Sequence, residues 1–391
     1  MSRRSREHVR FAGGQGAVNV NGPVQYHLGA FPPSNIDWKR LVPLIGSANA
    51  ALARYDGLVS SISNPSVLLS PLTTQEAVLS SKIEGTVVTM GEVLQLEAGA
   101  GESLTQPKRD DAEEISNYRM ALRFAANALG ERPLSPSLFR EAHALLMRGV
   151  RGRDKSPGAF RTEQNWIGSV GCKIERASFV PIFQTHLLSG IDAWSAYVVD
   201  ANQPDPLVQL AVAHAEFEAL HPFKDGNGRL GRMIIPLFLY GRKLLSSPSF
   251  YMSGYLESHR EEYIEALRAL SRDGAWTEWC EFFLRGLIEQ AAENQDKAKR
   301  IIDLNRRMLA VVARATHSEH AVSAVEFLFK NPIFASSHFV LASQIPRPTA
   351  LRFLRVLRDD GILSTIFEGS GPRPAVFAFE ELLDIAEGSA R

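Results

Sequence analysis

The stretch LVQLAVAHAEFEALHPFKDGNGRLGRMIIPLFLYG, residues 207–241, decides how this chain is read. Leu207, Leu210, Ala211, His214, Glu218 and His221 recur at helical spacing and fall within one arc of a helix that ends at His221. Pro222 disfavours helical backbone in the residue before it, so the imidazole is fixed at an inward-facing helix end beside the loop FKDGNG. A second helix begins near Arg229, with Leu230, Met233, Ile234 and Leu237 on its buried face. Arg229 and Arg232 stand in its first turns, where a helix start already presents partial positive charge. Two arginines, the flexible Gly226 and Gly228, and the N–H groups of a helix start together suit a multiply charged anion such as a nucleotide polyphosphate. Asp225 would repel that anion unless a divalent cation stood between them, and one carboxylate with phosphate oxygens is a usual way to hold Mg²⁺.

Each residue also has a plain structural reading. His221 can cap a helix, Asn227 can be an N-cap, and Gly226 and Gly228 can be turn residues. Their concentration in one short loop favours chemistry over packing. Zinc fits poorly, because His214 and His221 lack the four-residue spacing of a helical zinc pair and no cysteine lies nearby.

Upstream, EAVLSSKIEGT at residues 76–86 puts Ser80 and Glu84 on one helix face, with Glu84 in the last turn before Gly85. A helix C-terminus disfavours an anion, so Glu84 either needs a cation partner or is an ordinary surface residue with Gly85 as a C-cap.

The wider chain divides into an N-terminal arm over 1–36, a helical region over 37–106, a mainly helical core over 107–315 and a separable segment over 316–391. Within the core, RTEQNWIGSVGCKIERASFVP at 161–181 interrupts the helical period with extended pieces at Trp166–Ile167 and Phe179–Val180, a short hairpin or flap. In the last segment three helical pieces precede a two-strand hairpin turning between Gly369 and Pro374, the order of a winged helix-turn-helix. Arg347, Arg352, Arg355 and Arg358 could face a DNA backbone, but Asp359, Asp360, Glu380, Glu381 and Asp384 offset them, leaving DNA contact, protein docking and dimerisation open.

The composition agrees with a globular protein of 391 residues, 45% hydrophobic and 22% charged. Forty-three basic and 43 acidic residues give a formal net charge of zero, which removes any whole-molecule attraction to nucleic acid or membranes. Cys172 and Cys280 are too few for a disulfide framework, and neither an export signal nor a membrane span is evident. The expected location is cytoplasmic.

The run HPFKDGNGRLGR, residues 221–232, resembles the signature of the Fic (filamentation induced by cAMP) family, HPFx[DE]GNGRxxR, over its full length. The resemblance implies a mainly α fold: a Fic helical core with a β-hairpin flap, an N-terminal helical extension carrying an inhibitory helix, and the C-terminal winged helix. It implies transfer of AMP from ATP to a hydroxyl of a target protein. His221 would be the general base and Asp225 the Mg²⁺ ligand. Asn227 and the Gly226–Arg229 backbone, with Gly228, would cradle the α- and β-phosphates, Arg229 would support phosphates and loop, and Arg232 would hold the γ-phosphate. PGAFRTEQNWIG and FVP look like the family's flap, which puts target docking on Trp166, Ile167, Gly168, Phe179 and Val180. DGAWTEWCEFFLRGL, residues 273–287, looks like its closing helix. Residues 80–85 resemble the inhibitory motif [ST]xxxE[GN], in which Ser80, Glu84 and Gly85 would place Glu84 on Arg232 and leave ATP in an unproductive pose. Gly228 separates the chain from the Doc-type kinases, which carry Lys there. Two competing readings are a nucleotide-sensing DNA-binding regulator and removal of AMP by the same site.

Overall fold

The computed structural model describes residues 22–149, 152–371 and 373–388. The glycine-rich first part of the expected arm, through residue 21, lies outside the described residues, as does Pro372 in the expected hairpin turn. The fold is mainly α. In chain order the helices are α1 (Trp38–Ser60), α2 (Pro65–Leu68), α3 (Ser70–Ile83), α4 (Met90–Glu97), α5 (Gln106–Ala128), α6 (Pro136–Leu146), α7 (Leu187–Val199) and α8 (Pro206–Leu220). They continue with α9 (Asn227–Gly241), α10 (Ser253–Ser258), α11 (Arg260–Asp273), α12 (Trp276–Thr316), α13 (Ala321–Lys330), α14 (Ser336–Ala342), α15 (Arg347–Asp359) and α16 (Glu380–Glu387). The strands are β1 (Val24–Gln25), β2 (Phe179–Val180), β3 (Ile333–Ala335), β4 (Ser364–Phe367) and β5 (Val376–Ala378).

The chain forms two compact units. The first gathers residues up to Asp56, Leu79–Thr86 and Asn117–Ala292; the second gathers Gly57–Val78, Val87–Ser116 and Glu293 onward.

At the centre of the first unit lies α8. Asp205 caps it, its carboxylate accepting the N–H groups of Leu207 and Val208 at 2.9 Å each, and Pro206 occupies the first turn, where a missing N–H costs nothing. The arc of apolar residues in the sequence suggests one buried face, yet Gln209, Val212, Ala213 and Glu216 on other faces are buried too. A helix enclosed on all sides has no solvent face to leave polar, and its polar residues must find internal partners. The Trp279 indole N–H, from the start of α12, donates to Ala211 C=O at 2.8 Å, and Trp194 of α7 donates to Ala213 C=O at 2.8 Å. Trp276 and Trp279 are therefore core residues. The expected closing helix at 273–287 is the first part of the much longer α12.

The flap closes through an antiparallel bridge between Ile167 and Phe179, with Ile167 N–H donating to Phe179 C=O at 2.9 Å and Ser178 N–H to Ile167 C=O at 2.8 Å. An unforeseen partner is the N-terminal arm, whose β1 runs parallel to β2 with Val24 opposite Phe179 and Gln25 opposite Val180.

In the second unit, α13 to α15 alternate with a three-stranded antiparallel sheet ordered β3-β5-β4. Strand β3, the three residues directly following the break at Asn331–Pro332, pairs Ile333 with Ala378 and was not anticipated from the sequence. The element order is consistent with a winged helix. Among the described residues no helix is long and apolar enough to cross a membrane.

Candidate active site

His221 follows directly on α8 in left-handed backbone geometry, φ +47°, and its N–H donates to Phe217 C=O at 3.1 Å. Left-handed backbone is strained for a residue with a Cβ, so the surroundings must hold it. Arg161 does so. Its guanidinium is buried and donates to His221 C=O at 3.0 Å and Leu220 C=O at 3.3 Å, satisfying carbonyls that the helix end leaves open, and to Ile182 C=O at 2.5 Å. Asn165 adds an amide donor to Phe223 C=O at 3.2 Å. Arg161 and Asn165 stand in the quoted flap sequence, but nothing in their spacing marks them as anchors of the helix end.

Both ring nitrogens of His221 are buried, and apart from a marginal contact with the Glu218 backbone the ring has no hydrogen-bond partner. Burial, reinforced by the nearby Arg161 charge, pushes its pKa down to about 4, so the imidazole is neutral at neutral pH and can accept a proton.

The loop after His221 is fixed by its own side chains. Asn227 accepts Phe223 N–H at 2.8 Å and donates to Phe223 C=O at 2.9 Å, so its amide locks the loop. Gly226 has φ +75°, and a Cβ there would press on Met147 Sδ. Asp225 Oδ1 accepts Gly226 N–H at 2.6 Å and lies 3.8 Å from the Arg229 guanidinium. Helix α9 starts at Asn227, two residues earlier than the sequence suggests, so Asn227, Gly228 and Arg229 form its first turn.

Behind the loop stands His143 of α6, a residue the sequence reading passed over. Its Nδ1 accepts Gly158 N–H at 2.9 Å, which leaves Nε2 carrying the proton and donating to Asp225 C=O at 3.0 Å. The ring stacks on Phe223 with centroids 3.9 Å apart, and burial pushes its pKa down to about 4.

Arg232 is 2% exposed and reaches α3. Its Nε donates to Ser80 Oγ at 2.9 Å, and Nη2 donates to Ser80 C=O and to Glu84 Oε1 at 2.7 Å each. Burial alone would lower the guanidinium's pKa, but Glu84 holds it above its ordinary value. Gly228 makes this approach feasible, because a Cβ there would collide with the Glu84 carboxylate. Gly85 follows with φ +101°, ending α3. Glu218, one turn before His221, has a buried Oε1 without a hydrogen-bond partner, and burial pushes its pKa up to about 7 against the pull of Arg232.

These groups share one pocket of roughly 800 Å³. His221, the Asp225–Arg229 loop, Arg232 and Glu84 line its polar side, Ile167 and Phe179 of the flap line another, and Tyr263, Ile264 and Leu267 of α11 add apolar surface. Gly168, Trp166 and Val180 are not lining residues. Gly168 packs so closely on Cys172 that a Cβ would collide with its Sγ, while Trp166 Nε1 donates to Cys172 C=O at 3.1 Å and Val180 pairs with β1. Among the described residues no three His, Cys, Asp or Glu side chains gather as a metal site. A cation here would have Asp225 as its protein ligand and draw the rest from phosphate and water. The donor set fits Mg²⁺, whose usual sites combine one or two carboxylates with phosphate oxygens.

Residues 42–127 match the Fic/DOC family N-terminal model and residues 133–239 the Fic/DOC family model. The chain is 25% identical over 164 residues to protein adenylyltransferase fic-1 of Caenorhabditis briggsae, an alignment covering 40% of this chain and 30% of that relative. It is 27% identical over 124 residues to a Fido domain-containing protein of Dictyostelium discoideum, covering 32% of this chain and 78% of the relative. Two crystal structures share the fold. A Fic family protein from Desulfovibrio desulfuricans superposes with TM-score 0.55 at 20% identity, covering 86% of this chain and 96% of its own. A Fic domain-containing signaling protein from Bacteroides thetaiotaomicron gives TM-score 0.52 at 18% identity, covering 65% of this chain and 97% of its own. The loop at 221–232, built on two abutting helices, falls within the second of these matches, so residues 42–127 and 133–239 carry the N-terminal and Fic domains of the Fic/DOC family.

Proposed function

We propose that this site transfers AMP from ATP to a hydroxyl side chain of a target protein and that Glu84 restrains it. The observation that carries the reading is His221: a buried, neutral imidazole held by no more than a marginal contact with the Glu218 backbone, facing the same pocket as a helix-start loop and a buried arginine. An unsatisfied buried donor–acceptor pair is costly, and a proton-accepting role accounts for keeping it. The named activity of the worm relative, protein adenylyltransferase, supports the same reading.

In this reading the target hydroxyl oxygen attacks the α-phosphorus as His221 takes its proton. The bond between the α-phosphorus and the bridging oxygen breaks, and pyrophosphate leaves with the bond electrons. The α9 first turn and Arg229 face the α- and β-phosphates, and Arg232 faces the γ-phosphate, where positive charge lowers the cost of the departing anion. Bound Mg²⁺ at Asp225 would neutralise phosphate charge. Glu84 occupies Arg232 at 2.7 Å, so ATP must displace a carboxylate to place its γ-phosphate there. The flap, whose Ile167 and Phe179 pair with each other and line the pocket, would be the platform for the target segment.

The experiment uses Glu84→Gly protein, cell lysate and ATP labelled at either the α- or the γ-phosphate. Label on protein from α-labelled ATP alone is the expected result. Label from γ-labelled ATP would instead make the site a kinase, and label from neither, with nucleotide bound, would favour a sensing role.

A further inference from the structure

Glu216 lies on α8 with its side chain 0% exposed, a cost that a carboxylate bears only with good partners. Both oxygens have one. Oε1 accepts the Tyr26 hydroxyl at 2.7 Å, and Oε2 lies 2.8 Å from His27 Nε2. The other ring nitrogen of His27 is 2.9 Å from Ser271 Oγ of α11, and the ring meets the edge of Trp276 at 5.2 Å. Tyr26 and His27 directly follow β1, and Tyr26 N–H donates to Val180 C=O at 3.0 Å. Val24 packs with Phe179 and with Ala219 of α8.

Strand β2 is thus paired on both edges. Its Phe179 N–H and C=O face Ile167, and the Val180 carbonyl, pointing the other way along the pleat, faces the arm. A two-residue ladder is too short to hold itself in place. What fixes it is the clamp of Tyr26 and His27 onto the helix that carries His221.

We propose that Glu216 is a positioning residue for target docking: by seating Tyr26 and His27 it holds β1 against β2 and so sets the flap over His221. The inference rests on the flap serving as the target platform. Glu216 itself touches neither nucleotide nor target. A glutamine in its place keeps an acceptor for Tyr26 and can donate its amide N–H to His27 Nε2 when the ring proton sits on Nδ1, facing Ser271 Oγ, whereas alanine does neither.

The test uses the full chain carrying Glu84→Gly, alone and with Glu216→Ala, Glu216→Gln or Tyr26→Phe. Amide hydrogen exchange is read at Tyr26 and Phe179–Val180, ADP affinity by calorimetry, and AMP transfer against serial dilutions of total lysate protein. Glu216→Ala is expected to speed exchange at those amides about tenfold. It should raise the lysate concentration needed for half-maximal transfer while leaving plateau rate and ADP affinity within about twofold. Tyr26→Phe should do the same more weakly, which covers an alanine variant that fails to fold, and Glu216→Gln should restore parental behaviour. Unchanged exchange in both Glu216→Ala and Tyr26→Phe overturns the proposal, and so does a loss of plateau rate and ADP affinity together. A parent that transfers no AMP marks failure of the functional reading instead, and the exchange data then decide the clamp by themselves.

Discussion

At the scale of single residues the site is a set of buried polar groups whose pairing determines what each can do. His221 ends α8, so replacing it removes little packing but, in the proposed reaction, leaves the hydroxyl without a base. In the Glu84→Gly background, His221→Ala should lower AMP transfer by about 10²- to 10⁴-fold while nucleotide binding persists, checked by label transfer and calorimetry. Transfer at the parental rate would remove His221 from the chemistry. Arg232 is assigned to the γ-phosphate, so Arg232→Ala in the same background should weaken ATP binding more than ADP binding. Equal losses would place it on the α- or β-phosphate. At this scale the sequence was highly informative, because His221, Asp225, Gly228 and Arg232 lie in one contiguous run and Glu84 breaks a helix-dipole preference. Arg161, His143 and Glu216 escaped notice, since a buried charged or polar residue looks like a surface one until its partners are known.

At the scale of elements, the ends of helices matter more than their middles. Arg161 closes the end of α8 through the Leu220 and His221 carbonyls and ties it to Ile182 C=O, so Arg161→Leu leaves those acceptors dry. It should cost at least about 2 kcal/mol in urea unfolding; a cost near zero would mean that water replaces the guanidinium. Protonation gives a second handle. His143, His214 and His221 are pushed down to about 4, 3 and 4 by burial, against an ordinary value of 6.5, so unfolding takes up protons as pH falls below 6.5. Their stabilising contribution is complete above pH 6.5 and is lost on acidification. Glu218, raised to about 7, has the opposite sign: its contribution is complete below its ordinary 4.5 and fades as pH rises through 7. Glu216 and Glu387, also raised by burial, share the sign of Glu218, so the histidine contribution is read by difference: the urea midpoint of wild type should gain on that of His214→Gln as pH rises between about 4.5 and 6.5. A difference that stays flat across that window would mean that His214 is wetter than its packing implies. The helices were legible from periodicity, and Pro222 marked the end of α8. Strands β1 and β2 were not legible as a pair, because two residues carry no alternation and more than 150 positions separate them. Strand β3 has the same difficulty, its three residues reading only as a break.

At the scale of the molecule, a balanced formal charge and an ordinary composition said only that the chain folds; the proposed function rests on where two distant segments meet. Ser80 and Glu84 come from the chain before the flap and Arg232 from after it, and their bonds of 2.7–2.9 Å join segments about 150 residues apart. In the proposed reading, that meeting makes one guanidinium the object of two competitors, the Glu84 carboxylate and the γ-phosphate of ATP. The most direct measurement compares the rate of AMP transfer from α-labelled ATP in wild type, Glu84→Gly and Glu84→Gly/His221→Ala under one set of conditions. The account predicts strong labelling in Glu84→Gly alone. Equal labelling in wild type and Glu84→Gly, or undiminished labelling in the double variant, would contradict it.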